Sequence, residues 1–149
     1  MQILEHKMEA IMPFIKEQIE SGVMSKLIVT GTSMTPMLRS GKDSVLLKEV
    51  ETLKKGDIIL YKRQNGRYVL HRIIGVKEDF FLCCGDNQWR KEIVYPHQVE
   101  AVACAYYRTH KKKELKGFGY WCYIDHLPLR RLYRRLREAL SRIIKRTRN

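Results

Sequence analysis

Along the first twenty residues the apolar positions return every three or four steps. Leu4, Met8, Ile11, Met12, Ile15 and Ile19 fall on one helical face, and Ser21-Gly22 closes the segment. Pro13 supplies no N–H to the preceding turn, so a kink or restart is expected there. From Lys26 the period shortens to two and the runs to a handful of residues, which is the β signature. Strands are predicted over 26–30, 44–50, 57–62, 67–76, 79–83 and 99–107. Asn65-Gly66 suits a two-residue hairpin, because both central positions of that turn need positive φ, and Lys77-Glu78-Asp79 marks a second polar turn. Past Arg108 the pattern gives a charged connector over 110–116 and an aromatic, loop-like stretch over 117–121. A helix follows, with Asp125 as N-cap and Pro128 in the first turn. Its apolar face runs through Leu129, Leu132, Tyr133, Leu136, Leu140, Ile143 and Ile144, with arginines opposite.

These elements predict a mainly β, antiparallel fold with an amphipathic helix at each end. The expected divisions are an N-terminal helix over 1–22, a β-domain over 23–108 and a basic extension over 109–149. The chain has 149 residues, a single-domain length. Its formal charge of +13 is uneven: residues 108–149 hold fourteen Lys+Arg against three Asp+Glu, which leaves the body close to neutral. No stretch approaches the ~20 uninterrupted apolar residues of a membrane span, and Glu5, His6, Lys7 and Glu9 interrupt any secretory leader. Cys83, Cys84, Cys104 and Cys122 show neither C-x-x-C nor zinc-ligand spacing, which argues for a reducing compartment and against a metal site. No cofactor is expected.

Three positions could carry chemistry. Ser33 lies in Gly31-Thr32-Ser33-Met34-Thr35-Pro36-Met37-Leu38, at the tight turn after the first strand, where a hydroxyl and several backbone N–H groups converge. A serine there is more often a cap or surface hydroxyl. His71 sits in a strand where alternation gives Val69, His71 and Ile73 one face and Leu70, Arg72 and Ile74 the other. An imidazole among apolar neighbours is usually structural, yet its ordinary pKa near ~6.5 lets it take a serine proton. Gly85-Asp86-Asn87 follows the fifth strand; such a turn is ordinary hairpin chemistry, while its functional reading has Asp86 orient an imidazole. Asp43 and Asp57 could orient His71 instead, although both read more simply as turn residues at strand starts.

Taken together, Gly31-x-Ser33-Met34-x-Pro36-x-Leu38, then Lys55-Gly56-Asp57-Ile58-Ile59, then His71-Arg72, then Gly85-Asp86-Asn87 resemble type I signal peptidases. The resemblance is to the branch of the endoplasmic reticulum, archaea and some Gram-positive bacteria, which uses His where the common bacterial enzymes use Lys. It spans roughly residues 27–94. It implies a serine endopeptidase on a signal-peptidase/repressor-like coiled antiparallel β-sheet or partial barrel, with Ser33 as nucleophile, His71 as general base and Asp86 supporting the base. The oxyanion would be held by the Ser33 N–H, with Gly31, Thr32 and Met34 around it; many relatives carry a serine where this chain has Gly31. The substrate, a precursor peptide or small protein with a leader, would lie extended along an edge over 27–32, with Met34 either shaping a pocket or packing in the core. Lys62 and Lys77 flank the His71 strand as rivals for a Ser/Lys dyad, but neither occupies the family's base position.

The membrane anchor that precedes the serine motif in the family is replaced here by the charged helix. A cytoplasmic peptidase, or one on the cytoplasmic face of the membrane, is therefore expected. Over 125–149 the basic helix fits an anionic membrane surface best, packing on the body next and nucleic acid least. The alternative function is a catalytically silent peptide-binding protein of this fold, tethered at a membrane.

Overall fold

The computed structural model describes residues 2–147, with side chains described over 8–144. Leu4 and the basic residues Lys145, Arg146 and Arg148 lie outside the described side chains. Helix α1 (Gln2–Glu20) leads into strands β1 (Ser25–Ile28), β2 (Asp43–Lys48), β3 (Ile58–Lys62), β4 (Tyr68–Val76), β5 (Phe81–Cys84) and β6 (Glu92–Val94). A 3-10 turn over Pro96–Gln98 precedes β7 (Val99–Arg108) and β8 (Lys111–Glu114), and α2 (Phe118–Thr147) completes the chain. All pairings are antiparallel, in the order β1-β2-β7-β3-β4-β5-β6, with β8 added to β7. The fold is thus mainly β with a helix at each end, and its sheet stays open rather than closing into a barrel.

Alternation along β3 and β7 explains how one sheet holds two cores. Ile58, Leu60, Ala101 and Ala103 face the first core, where they meet Leu27, Val45, Leu47 and the α1 residues Met12, Ile15 and Ile19. Ile59, Tyr61 and Val102 face a second core, closed by Ile73, Cys83 and Val94 of β4, β5 and β6. Every member of that second cluster comes from the sheet, so the sheet's own coiling covers it. Helix α1 continues through Pro13 without a restart, and Ile11 points outward. It ends where expected: Gly22 at φ +78° lets its N–H reach the Ile19 carbonyl and the Val23 N–H reach the Gln18 carbonyl, a Schellman closure.

Two turns exchange their expected roles. At the β3–β4 hairpin only Gly66 has positive φ, and its N–H closes a turn onto the Arg63 carbonyl. The two-residue loop with both φ angles positive is Thr109-His110, between β7 and β8. The expected connector over 110–116 is therefore partly a strand. Helix α2 also starts earlier than its sequence signals suggest, at Phe118, so residues 118–121 of the expected loop are helical and Asp125 and Pro128 are interior.

The reason is tertiary. Tyr120, Tyr123, Ile124 and Leu127 make one side of α2 and lie against the β-body: Ile124 and Leu127 are buried and the two tyrosines bond to it. Further along the same side, Glu138 accepts a hydrogen bond from Trp89 Nε1 at 2.7 Å. At about 3.6 residues per turn the apolar stripe from Leu129 onward falls on the opposite side. Its members are 52–66% exposed, so packing of that stripe on the body is overturned.

Candidate active site

The loop that carries Ser33 begins where β1 ends, and buried charge holds it in place. The Asp43 carboxylate, fully buried, accepts from the Arg39 N–H at 2.9 Å, from the Arg39 guanidinium and from Arg108 at 2.7 Å. Burial alone would raise its pKa, but the arginines and the N–H outweigh that and hold it well below the usual carboxylate range. Arg108 also donates to the Met37 carbonyl at 2.8 Å, which ties the loop to the end of β7. Met34 and Leu38 plug the loop into the first core, so the Met34 side chain packs as core. Gly31 has φ +80°, the left-handed conformation that favours glycine. The Ser33 N–H donates to no described acceptor, while the Thr35 N–H closes onto the Thr32 carbonyl at 3.2 Å.

Opposite this loop, the β5–β6 connection brings in Gly85. The Asn87 N–H donates to the Ser33 carbonyl at 2.7 Å, binding the two loops directly. A Cβ on Gly85 would lie 2.7 Å from the Ser33 carbonyl oxygen, 3.0 Å from Gln88 Oε1 and 3.1 Å from His71 Nε2. Ser33 and the imidazole edge therefore flank one glycine, and only a residue without a side chain fits between them. Among the described residues Ser33 Oγ makes no hydrogen bond to His71; such bonds often tighten only when substrate arrives.

His71 is 1% exposed. Its Nδ1 lies 3.2 Å from Tyr61 Oη and 3.5 Å from Glu92 Oε1. The Tyr61 hydroxyl has one proton and gives it to Glu92 Oε2 at 2.9 Å. It can therefore only accept from the imidazole, which assigns the proton to Nδ1 and leaves the Nε2 lone pair on the ring edge beside Gly85. Arg63 fixes Glu92 from the other side, Nε to Oε2 at 2.8 Å. Burial of Glu92 opposes ionisation, but Arg63 and Tyr61 outweigh it and keep the carboxylate charged. Burial drives the His71 pKa down to about 4, Glu92 opposing and Arg63 assisting. The ring is thus neutral near pH 7 and can take up a proton.

Asp86 has other partners. It accepts a bidentate pair from Arg72, Nε to Oδ1 at 2.8 Å and Nη2 to Oδ2 at 2.7 Å, and a third bond from Tyr123 Oη at 3.1 Å. Arg72 completes its donors on the Gly56 carbonyl and Tyr120 Oη. Both charged residues are fully buried; burial disfavours the Arg72 charge, and Asp86 restores it. Since His71 and Arg72 point to opposite faces of β4, Gly85 meets the first and Asp86 the second. The His71-facing carboxylate is Glu92, which sequence reasoning missed together with Tyr61.

The remaining candidates lie apart. Asp57 caps its own turn by accepting from the Lys54 N–H, and Lys62 and Lys77 are exposed. Burial pushes the Cys83 thiol up to about 12 and raises that of Cys84 as well, so neither supplies a thiolate near pH 7. Among the described residues no helix is long and apolar enough to cross a membrane. In comparison with known proteins, the chain matches no family model and no curated protein.

Proposed function

We propose that this chain is a serine endopeptidase of the signal-peptidase I type, which removes a leader or signal segment from a precursor peptide. The observation that carries the reading is that the Ser33 backbone and His71 Nε2, its tautomer set by Tyr61 and Glu92, both border Gly85. Ser33 Oγ attacks the peptide carbonyl and gives its proton to Nε2. The imidazolium then protonates the leaving amine, and water hydrolyses the acyl-enzyme by the same route. The Ser33 N–H stabilises the oxyanion. Glu92, through Tyr61, takes the orienting role that the family resemblance gave to Asp86, and the Arg72–Asp86 pair positions the turn that holds Gly85. Because β1 is the terminal strand of the sheet, an extended substrate has an unpaired edge on which to add.

The test compares wild type, Ser33→Ala and Glu92→Gln on a library of leader-bearing precursor peptides, read by mass spectrometry. Wild type is expected to cleave and Ser33→Ala to lose several orders of magnitude in rate. Glu92→Gln should fall by ~10²-fold or more through loss of the imidazole's orientation. Equal peptide binding by all three proteins without cleavage would replace this reading with a peptide-binding protein of the same fold.

A further inference from the structure

Helix α2 is two-sided. One side is anchored on the β-body through Tyr120, Tyr123, Leu127 and Glu138, and the other presents Leu129, Leu132, Tyr133, Leu136 and Leu140, each more than half exposed. Both margins of this stripe carry cationic recesses. On one, a hollow of about 360 Å³ is walled by Leu129 and Tyr133 together with Arg130, Arg134 and Arg137. On the other, Leu132 borders a cavity of about 430 Å³ that gathers Arg131, Arg135, Lys55 and Lys91 against the single carboxylate of Asp125. There the Arg131 Nε and Nη2 atoms are buried away from any oxygen acceptor among the described residues, the guanidinium's neighbour being the weakly accepting Cys84 sulfur. Buried guanidinium donors so poorly matched are costly, and an anionic oxygen in the cavity would satisfy them better.

We propose that α2 is a membrane-docking foot, which inserts its outward leucines into an anionic lipid surface while the flanking arginines take lipid headgroup oxyanions. Charge selects this occupant over a second copy of the chain. Two such helices packed stripe to stripe would bring their arginine margins together, whereas an anionic leaflet neutralises both. Duplex nucleic acid would satisfy the arginines but leave the leucines in water. The proposal is independent of the peptidase reading and does not rest on it.

Flotation of the full chain with vesicles tests it, using phosphatidylcholine alone and phosphatidylcholine mixed with phosphatidylglycerol, at low and high salt. Wild type should float with the anionic vesicles at low salt, stay behind with the neutral ones, and be released as salt screens the arginines. Leu129→Gln/Leu136→Gln/Leu140→Gln, at exposed positions, should keep the wild-type melting curve and lose at least tenfold in partitioning. Arg130→Gln/Arg134→Gln/Arg137→Gln should lose roughly fivefold per arginine on anionic vesicles. Wild type that stays behind with anionic vesicles, or a leucine variant that floats as well as wild type, would overturn the proposal. So would a lipid-free dimer in sedimentation velocity that the leucine variant abolishes.

Discussion

Because the folded protein shuts the His71 imidazole away from water, acidification should destabilise it well before the carboxylates titrate. Burial moves the pKa from 6.5 to about 4, with Glu92 working against that shift and Arg63 with it. Above pH ~6.5 the folded and unfolded chains both carry a neutral ring, and His71 adds no pH dependence. As the pH falls from there towards about 4, the unfolded chain takes up a proton that the folded protein refuses, and stability drops. Below about 4 both states are protonated and the slope vanishes. At ~1.4 kcal/mol for each pH unit, the interval amounts to about 3 kcal/mol, a large part of the ~5–15 kcal/mol that holds a typical domain. Urea denaturation of wild type and His71→Gln at a series of pH values isolates the contribution. Asp43 also loses stabilising partners in acid, but in both proteins, so it cancels in the difference; Glu92 is coupled to His71, and its share belongs to that difference. The wild-type curve should fall by about 3 kcal/mol relative to the variant between neutral pH and about 4. Parallel curves, or an NMR titration of the His71 ring with a midpoint at 6 or above, would refute the reasoning.

Three further outcomes are expected. Gly85→Ala puts a methyl 2.7 Å from the Ser33 carbonyl oxygen; the backbone must shift, costing ~1–3 kcal/mol in melting experiments and at least ~10²-fold in peptide cleavage. Arg72→Met leaves Asp86 charged and unpaired in the interior, a loss of ~3–5 kcal/mol, whereas Arg72→Met/Asp86→Leu should recover most of it; equal melting temperatures for the two variants would contradict the account. Thr109→Asn/His110→Gly relieves two non-glycine residues at φ +48° and +65°, and thermal unfolding should rise by the equivalent of ~1–2 kcal/mol.

The parity of β4 was legible from the chain, because Val69 and Ile73 share a face with His71 and the structure keeps that arrangement. Of the third motif, Gly85 borders both His71 and the Ser33 backbone, while Asp86, the residue expected there, pairs with Arg72 on the opposite face of β4. Glu92 was not legible. It opens a strand of only three residues, too short for any periodicity, and reaches His71 through a tyrosine whose facing depends on the β3–β4 register. Register offered a partial signal: Tyr61 sits two positions from Ile59, which pairs with His71. Strand β8 is all charge, Lys111 to Glu114, and forms because β7 extends beyond β3 and leaves an edge to pair. The start of α2 escaped because Asp125 and Pro128 resemble a helix N-terminus, while the Tyr120 and Tyr123 contacts that extend the helix are tertiary.

Strand β7 also governs when the molecule can work during synthesis. Among the described residues it is the only strand that pairs with both β2 and β3, and it emerges after both of them. Until then the nascent chain holds two separate pieces, a hairpin of β1 and β2 bearing the Ser33 loop and a meander of β3 to β6 bearing His71, Glu92 and Gly85. Each piece shows an open strand edge that residues 99–108 later cover. The Ser33 loop and the His71 strand therefore come together only once Arg108 has left the ribosome and clasped Asp43, so an unfinished chain holds the two halves of the candidate site apart.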